Sequence, residues 1–294
     1  MLPYRIGRHT IELTSPERVL FPRSKITKGD LADYYQQIAP AMVSHLKNRL
    51  LTQQRFPEGI THTGFFQKNI PDSYPSWIKR WQVEKQDGGL VEYAVSNNGA
   101  TLLYLVQMGL ITPHVTLSKI DKIYAPDQLI FDIDPSKDND FVTVKKIAFL
   151  LQEELLNDGL EPWIKLTGSR GVHLLVPLKR RYTFDQVKAY AHAIAERVVA
   201  TVPQLATLEL SKQKRRGRVF IDTLRNSFSA TAVAPYAVRA LAGAPVAAPI
   251  TWDELSAIKK ATHYTLADMH KRLEKVGDLW ADVSKHAVTL PEVK

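Results

Sequence analysis

The sequence predicts a mixed α/β fold, on three observations. Alternating apolar strand patterns give way to helical ones through the middle of the chain, two of those strands are joined by a tight glycine turn, and the elements run strand, helix, strand, strand, helix, strand. With 294 residues and 45% apolar composition the chain can bury a sizeable core, as one large domain or two closely packed lobes.

From the N-terminus, residues 11–21 read as strand then turn. Thr27 with Asp30 three residues on caps a helix whose apolar positions are Leu31, Tyr34, Tyr35 and Ile38. A basic, aromatic, turn-rich stretch covers 49–81. A hairpin follows, with strands at 81–85 and 90–95 about Asp87-Gly88-Gly89.

Residues 129–134 form an apolar strand, and Phe141, Val144, Ala148, Leu151 and Leu155 mark the apolar face of a helix. Strands at 163–167 and 172–178 flank Gly168-Ser169-Arg170-Gly171. Thr183 and Gln186 make a capping-box pattern for the helix carrying Val187, Tyr190, Ala191, Ile194 and Val198, and 218–224 is the next strand. This order is that of a split βαβ unit, as in ferredoxin-like and RNA-recognition folds, where the first and last strands lie near the middle of the sheet. Thr251 with Glu254 and Thr265 with Asp268 start two C-terminal helices, Leu266, Met269, Leu273 and Val276 sharing a face of the second. The expected organisation is a single domain over 1–294: an N-terminal lobe (1–125), a catalytic lobe (126–250) and C-terminal helices (251–294).

Lys and Arg number 39 against 30 Asp and Glu, a formal charge of +9, which favours a polyanionic partner. The lack of cysteine excludes disulfides and thiolate metal sites. No stretch reaches the roughly 18 consecutive apolar residues of a membrane span, and the N-terminus has no signal-peptide core. A soluble, cytoplasmic protein is expected, with no membrane partner.

In the strand Leu129-Ile130-Phe131-Asp132-Ile133-Asp134, alternation puts Asp132 and Asp134 on one face and Phe131 and Ile133 on the other. Two converging carboxylates repel, and a hard cation such as Mg²⁺ or Mn²⁺ relieves that; two ordinary strand-end acids before a Pro-Ser turn are the plain alternative. Arg218-Val219-Phe220-Ile221-Asp222 is another apolar strand ending in an acid, and the split βαβ order lets Asp222 lie beside the pair. In Lys165-Leu166-Thr167-Gly168-Ser169-Arg170-Gly171-Val172-His173 the glycines allow close backbone approach, while Thr167, Ser169, Arg170 and His173 carry donors suited to a triphosphate. A simple hairpin with a core histidine is the alternative. The basic run 211–218 beside the third acid is a candidate for phosphate contact, and Arg225 and Arg239 are candidates to reach the same site.

Together these segments resemble the primase-polymerase domain of bacterial ligase D, in the archaeo-eukaryotic primase superfamily, over nearly the whole chain. The matching stretches are 13–22, Gly64-Phe65-Phe66-Gln67-Lys68-Asn69, Phe131-Asp132-Ile133-Asp134-Pro135, Thr167 to His173, and Phe220-Ile221-Asp222-Thr223-Leu224-Arg225-Asn226 continuing to Arg239. The resemblance implies a primase-like catalytic core with an RNA-recognition-motif-like sheet packed against an N-terminal α/β lobe. It implies Asp132, Asp134 and Asp222 as a triad for two divalent cations, Mn²⁺ or Mg²⁺. Thr167, Ser169, Arg170, His173 and Arg239 are similar to the triphosphate-binding residues, Phe65 and Phe66 to the pair that stacks on the incoming base, and His114 to a histidine near the nucleotide sugar. Arg18 and Lys28 resemble the residues that hold a downstream 5′-phosphate, with Lys68, Arg215 and Arg225 as further DNA contacts.

The implied activity is template-directed nucleotidyl transfer from NTP or dNTP, favouring ribonucleotides, that fills gaps or extends ends of broken DNA in double-strand-break repair by non-homologous end joining. A separate DNA ligase and the end-binding protein Ku are the implied partners, and a nucleoid-associated location follows. The family's attached ligase and nuclease are not recognised, so a free-standing polymerase is expected. Leu110 to Leu117 departs from the family's Ile-Glu-Ile/Leu-His-Pro-Trp pattern around His114, and Gln54 stands where many relatives carry a basic residue. Lys85-Gln86-Asp87-Gly88 satisfies the ligase nucleophile motif Lys-x-Asp-Gly, but its Asp-Gly-Gly is what a hairpin turn needs. A strand ending Asp-x-Asp also fits a haloacid-dehalogenase-type phosphatase, and a non-catalytic DNA-end-binding module is a third possibility.

Overall fold

The structure, a computed structural model, describes residues 1–85, 88–136 and 140–292. In chain order the elements are β1 (Leu2–Ile6), β2 (His9–Leu13), β3 (Val19–Phe21), β4 (Ile26–Thr27), α1 (Lys28–Leu46), β5 (Leu51–Arg55), β6 (Phe65–Gln67), β7 (Lys79–Glu84), β8 (Leu90–Val95), α2 (Gly99–Gln107) and β9 (Leu110–Thr116). They continue with β10 (Gln128–Asp134), α3 (Phe141–Asn157), β11 (Trp163–Leu166), β12 (Val172–Pro177), α4 (Phe184–Thr201), β13 (Ala206–Thr207), β14 (Val219–Asp222), β15 (Thr231–Val233), β16 (Pro249–Ile250), α5 (Trp252–Ala257) and α6 (Leu266–Val276). The chain forms two compact units, one from Met1–Asp121, Thr231–Ala247 and Tyr264–Asp278, the other from Lys122–Ala230, Ala248–His263 and Leu279–Lys294.

The second unit holds a six-stranded sheet in the order β13-β14-β10-β12-β11-β16. Within it β14, β10, β12 and β11 are antiparallel neighbours, so the first and last strands of the split βαβ pattern lie side by side. The α3 helix starts where the Asp140 carboxylate accepts the Thr143 N–H at 2.9 Å, and α4 starts with the Thr183–Gln186 capping box. Both helices pack on β10 and on each other, burying Val144, Ala148 and Leu151 from one and Val187, Ala191 and Ile194 from the other. A fully buried side chain of this size contributes about 1.5–3 kcal/mol, so truncating Leu151 to Ala is expected to cost about 2–5 kcal/mol.

The first unit contains the four-stranded sheet β15-β9-β5-β6 and the packed pair α1 and α2. Thr27 and Asp30 form a complete capping box at the start of α1. From that helix the Tyr34 hydroxyl donates to the Tyr236 carbonyl at 2.7 Å, and the Tyr35 hydroxyl donates to the Ile111 carbonyl at 2.6 Å while accepting the Val238 N–H at 3.1 Å. Two buried tyrosines thus tie 231–247 to the N-terminal part of the unit, far away in sequence.

The hairpin expected near 81–95 is the pair β7–β8, with Gly88 and Gly89 at φ +87° and +79° in its turn. Gln86 and Asp87 of the Lys-x-Asp-Gly motif lie outside the described residues. The C-terminal stretch expected as one helical part contributes α5 to the second unit and α6 to the first. Among the described residues no helix is long and apolar enough to cross a membrane.

Candidate active site

Strand register assembles the acids. On β10, Asp132 stands opposite Asp222 of β14 on one side and His173 of β12 on the other. His173 in turn faces Lys165 of β11, so Asp222, Asp132, His173 and Lys165 form one row across four strands and share a face of the sheet. Asp134, two residues on, shares that face, and Phe131 and Ile133 on the opposite face are fully buried. Asn226 locks the turn after β14 to β10: its carboxamide oxygen accepts the Ile130 N–H at 2.9 Å and its nitrogen donates to the Ile130 carbonyl at 2.8 Å.

The row is densely charged and mostly out of water. Asp132 Oδ1 lies 3.2 Å from His173 Nε2 and Asp132 Oδ2 accepts from Arg225 Nε at 3.1 Å; Asp222 Oδ2 lies 3.5 Å from the same Nε, and Asp222 Oδ1 accepts the Leu224 N–H at 2.8 Å. Burial disfavours the Asp132 carboxylate, but His173 and Arg225 outweigh it and hold the group well below the usual carboxylate range. Burial pushes His173 down to about 4 against the pull of Asp132, so at neutral pH the ring is uncharged and serves Asp132 as an N–H donor. Burial first, and then Asp132, push Asp134 up to about 6, with Arg170 opposing; burial also raises Asp222, with Arg225 opposing.

The turn from Thr167 to Gly171 lies directly on β10. A β-carbon at Gly171 would sit 1.8 Å from the Ile133 carbonyl oxygen, so only glycine permits this approach. Gly168 takes φ +65°. The Thr167 hydroxyl is used inside the turn: it donates to the Gly171 carbonyl at 2.9 Å and accepts the Ser169 and Gly171 N–H groups at 3.3 Å. These bonds shape the loop. Ser169 is half-buried and Arg170 exposed.

In the first unit, neighbouring residues Phe65 and Phe66 on β6 point to opposite faces. Phe66 pairs with Gln54 and makes an edge contact with His114 of β9, ring centroids 5.5 Å apart; Phe65 pairs with Arg55, whose guanidinium lies 5.2 Å from the Phe65 ring. Both rings are exposed, 46% and 62%. A pair expected to act together is divided by the pleat. Arg239 is half-buried in the same unit, and Lys68 is exposed beside β6.

Arg18 and Lys28 do come together, lining a cavity of about 260 Å³ with Thr14, Ser15, Arg55 and Gln107. Lys28 Nζ donates to the Thr14 carbonyl at 3.0 Å and to Gln107 Oε1 at 2.8 Å, and burial, then Arg18, lower it to about 8. Arg18 donates to Glu58 at 2.8 Å. In the second unit Arg215 lies over the Phe220 ring at 3.9 Å and donates to the Glu209 carbonyl at 3.0 Å, which anchors the basic run to its own loop.

One feature escapes a reading by motif. Lys165 is 1% exposed and belongs to the acid-histidine row; its signal is a lysine inside the otherwise apolar Trp163-Ile164-Lys165-Leu166. Arg225, read from the sequence as a candidate to reach the acid site and as a DNA contact, sits on two of the carboxylates. Among the described residues no three acidic or histidine side chains are already gathered around one point as a metal cluster, and Arg225 Nε lies within 3.5 Å of carboxylate oxygens of both Asp132 and Asp222. The donor set still fits a hard divalent cation: three carboxylates on one face, two with ionisation suppressed by burial.

The family described as "LigD, primase-polymerase domain" matches residues 27–280. The multifunctional non-homologous end joining protein LigD of Mycolicibacterium smegmatis is 32% identical over 97% of this chain and 38% of its own length. The bifunctional non-homologous end joining protein LigD of Bacillus subtilis is 29% identical over 91% of this chain and 43% of its own length, so the chain spans less than half of these curated relatives. Among solved structures, the polymerase domain from Mycobacterium tuberculosis ligase D in complex with DNA superposes with a TM-score of 0.87 at 28% identity, covering 95% of this chain and 99% of that one. The chain therefore belongs to the LigD primase-polymerase domain family and is a metal-dependent nucleotidyltransferase of the polymerase type.

Proposed function

We propose that this chain adds nucleotides, template-directed, to 3′ ends at gaps or breaks in DNA, favours ribonucleotides, and works in end joining with a DNA ligase and Ku. The observation that carries the reading is the register of Asp132 with Asp222 on adjacent strands, with Asp134 on the same face and a glycine-dependent turn lying against the strand between them. Asp132, Asp134 and Asp222 would hold two divalent cations, Mn²⁺ or Mg²⁺, which when bound acidify a primer 3′-hydroxyl and neutralise triphosphate charge.

The chain's own groups supply positioning and electrostatics, as nucleotidyl transfer requires. Ser169 and Arg170 offer donors to the triphosphate, His173 keeps Asp132 oriented and ionised, and Arg239 is assigned to the phosphates. Phe66, which shares a face with His114, is assigned to the incoming base, and His114 to the sugar. Phe65, on the other face with Arg55, is assigned to a different base. The cavity holding Arg18 and Lys28 has the cationic lining to take a terminal 5′-phosphate.

The test is extension of a primer across a one-nucleotide gap with Mn²⁺, comparing NTP with dNTP and a 5′-phosphorylated with an unphosphorylated downstream strand. The reading expects incorporation that follows the template base, is faster with NTP and is stimulated by the 5′-phosphate. Template-independent hydrolysis of small phosphoesters, without incorporation, would assign the acids to phosphatase chemistry instead.

A further inference from the structure

Arg225 sits three residues after Asp222 in a short turn that Asn226 anchors to β10, so its backbone is fixed while its side chain remains 40% exposed. Its Nε touches Oδ2 of Asp132 at 3.1 Å and of Asp222 at 3.5 Å, on side chains that are themselves 7% and 14% exposed. The other oxygen of each acid is already engaged, by His173 on Asp132 and by the Leu224 N–H on Asp222. The clamp therefore takes the oxygens that a cation bridging these two acids needs. A divalent ion binds carboxylate oxygens at about 2.0–2.6 Å, which leaves no room for a guanidinium nitrogen between the same pair.

We propose that Arg225 is the resident counter-ion of the acid row: it clamps Asp132 to Asp222 until a divalent cation arrives, and it must release both for the cation to be held. This rests on the reading of the triad as a metal site. Two consequences follow. The clamp holds Asp132 and Asp222 together and offsets part of their charge before metal loading, and it lowers the apparent metal affinity, because every binding event displaces the guanidinium from both acids. The swing needs no backbone movement, since the half-exposed guanidinium has solvent to turn into.

The experiment uses the full chain without nucleotide, titrated with Mn²⁺ by electron paramagnetic resonance and melted with and without the metal, in wild type, Arg225→Gln, Arg225→Lys and Asp132→Asn. Both Arg225 variants are expected to bind Mn²⁺ more tightly, by about 10-fold, within the usual span of coupled binding equilibria. Both are also expected to melt below wild type without metal and to recover at saturating Mn²⁺. The lysine variant separates a clamp from a merely nearby charge: it keeps the charge and loses the Nε–H that reaches both acids. Unchanged or weaker Mn²⁺ binding in Arg225→Lys overturns the proposal, including where Arg225→Gln does not fold. Equal Mn²⁺ binding by wild type and Asp132→Asn is a different failure, because it removes the metal site itself and leaves nothing for Arg225 to compete for.

Discussion

The two strands that carry most of the proposed chemistry use the same alternation to opposite ends. On β10 the acids Asp132 and Asp134 are two residues apart and share a face, where register adds Asp222 and His173 from the neighbouring strands. On β6 the aromatics Phe65 and Phe66 are adjacent, so one turns to His114 and the other to Arg55. Spacing of two collects groups on one ligand and spacing of one divides them between two. An adjacent pair in a strand is therefore better read as two contacts than as one clamp.

The largest expected effect is at the point where the acid strand depends on its neighbour. Gly171→Val places side-chain atoms on the Ile133 carbonyl, so the turn must lift from β10, and incorporation is expected to fall below detection with about 1–3 kcal/mol lost from stability; a fully active variant in a gap-filling assay would falsify the close approach. The aromatic strand is tested next: Phe66→Ala is expected to raise the nucleotide KM by about 5–100-fold, the size of one lost base stack, while Phe65→Ala leaves that KM nearly unchanged and weakens DNA binding instead. Equal KM effects from both would mean that the two rings act on one base after all.

Asn226→Ala strands the Ile130 backbone groups and is expected to cost about 1–3 kcal/mol in chemical denaturation, a structural loss rather than a chemical one. The smallest effect is a pH dependence. Lys28, lowered to about 8 by burial and Arg18, is charged below that pH and neutral above it. The advantage of a 5′-phosphorylated gap, measured as a binding ratio, should therefore decline as pH rises from 7 to 9, with a midpoint at or above about 8 once phosphate supports the charged form. Lys28→Met should show a small, flat ratio over the same range, and a sloping one would remove Lys28 from the pocket.

Much of this was legible in the sequence, where local rules and one topological rule sufficed. Thr27, Thr183, Thr251 and Thr265 each start the helix their spacing implies, because a capping box is local chemistry. The split βαβ order brings β14 beside β10 because that connection leaves few topologies open. What stayed hidden depends on side-chain direction and partners. Nothing in Thr167-Gly168-Ser169 says that the threonine hydroxyl closes its own turn, and an arginine three residues past an acid can be placed near the site but not on two acids until the neighbouring strand supplies a second carboxylate. Lys165 left a legible trace, a charge in an apolar strand, but its row could be named only once the register of β11 and β12 was known.

The acid row is tested most directly by single-nucleotide incorporation into a gapped duplex with Mn²⁺, comparing wild type with Asp132→Ala and Asp222→Ala, both folded by circular dichroism. Loss of an organising electrostatic group at a reacting centre costs at least about 10²–10³-fold, so each variant should lose incorporation by that factor or more while still binding the duplex. Undiminished incorporation by either variant would contradict the account.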